Sequence, residues 1–130
     1  MDVIAKYNNL TLNRIDDETY ESDPVAIGEE EAIYKFVDAG KDILVRRTID
    51  GISKTITMPK DIIKLYTHVL FPKIIILGRQ DQCKQYPKID NTDKAVLAYL
   101  CFPDDVIQIN RLVTYLGAGV QKTATLYQVL

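Results

Sequence analysis

Two cysteines and one histidine are all that this 130-residue chain offers a soft metal or a redox pair. Cys83 and Cys101 make no disulfide framework, and neither has a Cys or His neighbour at zinc-ligand spacing. Long apolar runs are missing too. No window approaches the ~18 to 20 uninterrupted apolar residues of a membrane helix. The opening residues, MDVIAKYNNL, lack the basic start and greasy centre of a signal peptide. A soluble, unprocessed protein of a reduced cytosol is expected. Catalytic motifs are equally scarce: His68 has no Ser or Cys near it in a nucleophile motif, and GxxxxGK[ST], GxGxxG and HExxH are all lacking. Glu29, Glu30 and Glu31, or His68, could ligate a metal, but a carboxylate run inside an acidic connection is far more often solvated. No enzyme, metal, cofactor, small-molecule substrate or membrane partner is expected.

What is there suits one domain spanning 1–130. At 47% hydrophobic content, the chain can fill one core. Its formal charge of −2 hides an asymmetry. Residues 1–31 hold nine acids against Lys6 and Arg14, which leaves 32–130 at +5, a balance compatible with a polyanion partner or with an ordinary solvated surface.

Local pattern places the elements. Residues 3–7 and 10–15 are β-prone runs around Asn8-Asn9, which predicts an N-terminal hairpin over 1–15. An exposed acidic connection follows. Residues 32–77 then predict a β-meander, centred on Asp50-Gly51 between β-branched runs. A two-residue turn there pairs Ile49 with Ile52, Arg47 with Lys54, Val45 with Ile56 and Ile43 with Met58 on one mostly apolar face. Leu44, Arg46 and Thr48 meet Thr57, Thr55 and Ser53 on the other, polar face. Residues 61–71 fit either a helix through Ile62, Ile63 and Tyr66 or a strand that turns Tyr66 and His68 outward; the strand is preferred. Further on, Asn91 or Thr92 caps a helix with Ala95, Val96, Tyr99 and Leu100 on one side. Pro103, Asp104 and Asp105 start a second helix with a stripe through Val106, Ile109, Leu112, Val113 and Leu116, stopped by Gly117. The two form a helix pair over 92–117, and 120–130 is a short helix or a final strand.

Two binding signals stand out. Residues 112–127 resemble a helix-turn-helix, with Gly117 after an apolar helix and a Thr-rich follower. Electrostatics oppose it, since 91–130 carries three bases against three acids and DNA affinity comes largely from phosphate neutralisation. The other is the polar sheet face. Arg46, Thr48, Ser53, Thr55 and Thr57 would sit side by side, with Tyr66 and His68 extending the patch and a ring able to stack on an unpaired base. An ordinary solvated β-face is the bland alternative.

Ser53-Lys54-Thr55-Ile56-Thr57-Met58-Pro59-Lys60 and Tyr66-Thr67-His68 resemble segments of the coat proteins of the small icosahedral single-stranded RNA phages, the leviviruses. The order of elements is similar as well. The resemblance implies an α+β fold: an antiparallel β-sheet with an N-terminal hairpin and two C-terminal helices that pack across a dimer partner. It also implies self-assembly of dimers into a virion shell in the host cytoplasm, with genomic RNA held by Ser53, Thr55 and Tyr66 and by Arg46 and Thr48 on the neighbouring strand. The expected partners are other copies of the chain and RNA. A helix-turn-helix DNA-binding regulator and a small protein-binding module are the alternatives.

Overall fold

The computed structural model describes residues 1–80, 85–115 and 119–130, with backbone alone at 113–115 and 119–122. After a short helix α1 (Asp2–Tyr7), the chain lays down β1 (Leu12–Arg14), β2 (Thr19–Ser22), β3 (Val25–Ile27), β4 (Glu30–Ala39), β5 (Asp42–Ile49) and β6 (Ile52–Pro59). They form one antiparallel sheet in the order β1-β2-β4-β5-β6, with β3 also on β4. A 3₁₀ segment, Lys60–Thr67, leads to β7 (Lys73–Arg79), β8 (Lys88–Ile89), helix α2 (Lys94–Ala98), β9 (Asp105–Tyr115) and β10 (Gly119–Val129). These strands form a second sheet, β7-β9-β10-β8, in which β8 runs parallel to β10.

The centre of the first sheet follows the sequence reading. Asp50 and Gly51 both take positive φ, 51° and 74°, as a two-residue turn matched to the twist of its strands requires. The register is then set: Ile49 faces Ile52, Arg47 faces Lys54, Val45 faces Ile56 and Ile43 faces Met58. Ile43, Val45 and Met58 are buried together with Phe36 of β4 and Phe102, which links this core to the strands that follow. A second, smaller cluster joins Ile74, Ile107 and Ile109 of the second sheet to Val96 and Cys101.

Elsewhere the expected α+β architecture is overturned. The molecule is mostly β, and the predicted pair of C-terminal helices over 92–117 is not formed. The first helix of that pair exists only as α2, capped by Asp93, whose carboxylate accepts from the N–H groups of Ala95 and Val96. The second is strand β9. Asp104 has φ 75°, which no helix start can accommodate. Ile107 and Ile109 are buried at alternate positions, whereas Leu112, needed by the helical stripe, is 38% exposed. The β-branched content favours the strand, and β7 supplies its partner. Residues 120–130 take the strand option, in β10.

The N-terminal hairpin over 1–15 is also corrected. Residues 2–7 are helical with Ile4 buried, Asn8 caps the end, and Asn9 takes φ 54°, so the turn residues stop a helix instead of joining two strands. The acidic connection contains β2 and β3. In β2 the buried residues are Thr19 and Ser22, with Tyr20 and Glu21 half-buried between them, so no apolar alternation marks the strand. Residues 61–71 are no strand either. The 3₁₀ segment buries Ile62 and Tyr66 on one side, the periodicity of the helical alternative.

Candidate functional site

The polar face of the first sheet is where the sequence placed it. Arg46, Ser53, Thr55 and Thr57 are exposed and Thr48 is half-buried, with the Thr48 and Ser53 hydroxyls 2.7 Å apart. Across the strands, one row runs Glu21, Lys35, Arg46, Thr55. Lys35 directly opposes Arg46, and Glu21 offsets the charge from the far side.

Tyr66 and His68 do not extend this patch, because they sit on the 3₁₀ segment and just after it. Tyr66 is 6% exposed. Its ring stacks on Tyr7 at 4.8 Å, and its hydroxyl donates to the Ala98 carbonyl while accepting from Asn8 Nδ2. Burial pushes its hydroxyl up to about 12. No base can stack on a ring so enclosed. His68 is exposed, with Nδ1 accepting from the Leu70 N–H at 3.3 Å.

Sequence reasoning missed the chemistry of the opposite face. Arg47 points inward, where both its terminal nitrogens donate to Asp105 at 2.7 Å, and its guanidinium lies 4.5 Å from the Phe102 ring centre. Asp105 also accepts from the Phe102 N–H. Burial disfavours both charges. It pushes the Asp105 carboxyl up against the pull of Arg47, while at Arg47 the carboxylate outweighs the same burial and holds the guanidinium charged. Nearby, Tyr34 is pushed up to about 12 by burial. The pair, buried on both sides, clamps the two sheets together.

Two features remain open. The first is a cleft of about 460 Å³ walled by β3 on one side and the first residues of β7 on the other, with Tyr34 and Leu100 at its base and Tyr7 to Leu10 at one end. Among the described residues β3 pairs only with β4, and β7 only with β9. They converge at Gly28, where an added Cβ would lie 2.9 Å from the Leu77 carbonyl oxygen. Glu30 and Arg79 bridge the same end through a two-pronged ion pair at 2.8 Å.

The second is the outer part of the β9–β10 ribbon. β7 covers β9 only as far as Asn110, and β8 covers β10 only at Gln128 and Val129. From the pair Arg111–Thr123 out to Tyr115–Gly119, the described strands have no partner but each other. The 116–118 turn of the predicted helix-turn-helix, and Cys83, lie outside the described residues. Cys101 is buried, which raises its thiol well above its ordinary value and leaves it inert.

Among the described residues no group of three or more His, Cys, Asp or Glu could hold a metal, and no helix is long and apolar enough to cross a membrane. No protein-family model, curated protein or solved structure matches this chain.

Proposed function

We propose that this is a non-catalytic protein that works by self-association, with the β9–β10 ribbon as its contact. The observation that carries this is the open edge of β10. Its residues 119–127 have β9 on one side and no strand on the other among the described residues. An isolated two-stranded ribbon is marginal in water, and an uncovered edge is a template for another strand. Lys122 is the one charged residue from 119 to 127, so a second copy meets little repulsion there. A two-fold axis would let the same edge serve both subunits. Self-association was also implied by the coat-protein resemblance, but through a helix pair that this fold lacks. The assembly proposed here rests on strands.

Light scattering on the full chain tests it. Oligomers that grow with concentration are expected, and Thr123→Lys with Thr125→Lys should return a monomer, since lysines on an edge strand deter pairing. A wild-type chain that stays monomeric at every concentration refutes the proposal. Negative-stain microscopy of the same sample separates a closed shell, which would show particles, from a plain dimer.

A second reading keeps RNA as a partner. Lys35 beside Arg46, flanked by exposed threonines, is a surface that an anionic backbone would relieve of like-charge repulsion. Salt-sensitive binding of single-stranded RNA, weakened by Arg46→Ala and untouched by Tyr66→Phe, would support it; binding indifferent to both salt and Arg46→Ala would not.

A further inference from the structure

Side-chain donors without partners gather around the 460 Å³ cleft. Lys73 is the only charged residue in its lining, is exposed, and forms no ion pair among the described residues. Tyr7 and Tyr99 line it too, and neither hydroxyl has a hydrogen-bond partner among the described residues. Ring contacts bring the three to one end. Phe71, two residues before Lys73, stacks on Tyr99 with ring centroids 6.0 Å apart, while Tyr66 meets Tyr7 face to face and Tyr99 edge-on. Burial, and then the nearby Tyr7, push the Tyr99 hydroxyl above its ordinary value, so it is held as a neutral donor. Most of the remaining lining is apolar, from Leu10 and Leu100 to Val25, Ile27 and Ile76. We infer that the cleft binds a small apolar carboxylic acid, with its carboxylate on Lys73 and the two tyrosine hydroxyls and its hydrocarbon body against the apolar wall.

The dimensions select a small molecule over a peptide strand. A strand laid between two others needs them about 10 Å apart, whereas β3 and β7 come within 8 Å of each other. The volume lies within the ~300 to 1,000 Å³ typical of ligand sites. One ammonium with two hydroxyls suits a carboxylate better than a phosphate, which recruits arginine forks or the N-terminus of a helix. The site is also built before a ligand arrives. Tyr7 and Tyr99 are fixed by their ring contacts, and Asn8 between Tyr7 and the rest of the lining is fixed by the Ile4 and Ala98 carbonyls. Leu100, at the base, holds φ 58°, a left-handed backbone that is costly for a leucine, and strain of this kind gathers at ligand sites. A site ordered in advance spends little of its binding energy on ordering. No residue of β10 is in the lining, so binding needs no second copy.

Isothermal titration calorimetry of the full chain with octanoate, octanol and octylamine tests the site. Saturable octanoate binding is expected, with octanol and octylamine about tenfold weaker, the factor that a charge-assisted hydrogen-bonded head group supplies. Lys73→Glu should weaken octanoate about tenfold and strengthen octylamine, a gain that misfolding cannot produce. Tyr7→Phe with Tyr99→Phe keeps the ring contacts and should weaken octanoate while leaving octanol unchanged. Lack of saturable octanoate binding would overturn the inference. Equal binding of octanol would do the same, by marking a cleft filled through apolar contact alone, as would an octanoate affinity untouched by either variant, which puts the ligand elsewhere.

Discussion

Arg47 of β5 and Asp105 of β9 form a two-pronged ion pair, both bonds 2.7 Å, with side chains 3% and 0% exposed. They lie 58 residues apart and tie the first sheet to the second. Removing one partner strands the other charge in the interior, at about 3 to 5 kcal/mol. Arg47→Ala should therefore lower stability in urea melts by that order. Arg47→Met combined with Asp105→Asn should cost less than the sum of the single changes, because the double change leaves no bare charge and Asn keeps an acceptor for the Phe102 N–H. Additive losses would mean that the pair contributes no coupling.

Alkaline pH should loosen the fold through two tyrosines. Tyr34 and Tyr66 are each raised from 10.0 to about 12, chiefly by burial. Between those values the folded chain holds protons that the unfolded chain has released, so stability falls as pH rises. It is fully present below 10 and declines by up to about 2.7 kcal/mol per pH unit for the two together. Tyr34→Phe and Tyr66→Phe should each flatten the decline in melts run across that range; an unaltered slope in both would assign it to other groups.

Gly28 and Gly40 offer a controlled comparison. Both have positive φ, 62° and 81°, but a Cβ at Gly40 meets nothing within 4 Å, whereas at Gly28 it meets the Leu77 carbonyl oxygen at 2.9 Å. Gly40→Ala should cost about 1 kcal/mol for the left-handed backbone alone. Gly28→Ala should cost clearly more and should widen the closed end of the cleft. Equal losses by thermal melting would show that β3 and β7 separate easily.

Asp93→Ala removes the side chain that accepts from Ala95 and Val96 at the start of α2. A loss of about 1 kcal/mol is expected. Asp93→Ser should recover most of it.

Legibility in the sequence varied with the range of the deciding interaction. Asp50-Gly51 encodes its own turn, and alternation then places Arg46, Ser53, Thr55 and Thr57 outside with Ile43, Val45 and Met58 inside, all within one hairpin. Short-range signals misled where two periods coexist. Residues 105–115 satisfy both a helical stripe and a strand, and what separates them is β7, some 30 residues away. Tyr66 was misplaced for the same reason: its ring is held by Tyr7 and its hydroxyl by Ala98, neither of them visible in the local pattern.

By itself the sequence determined the central hairpin, its register, its two faces and a short helix near residue 94, because backbone preference and nearest-neighbour alternation suffice for each; it did not determine that Asp93, and not Asn91 or Thr92, caps that helix. The tertiary structure alone decided that the C-terminal third is mostly sheet, that Arg47 is an internal clamp, and that Gly28 comes up against Leu77 of β7. Those outcomes depend on which distant segment arrives as a partner, and burial, ladder hydrogen bonds and charge pairing are settled only when it does.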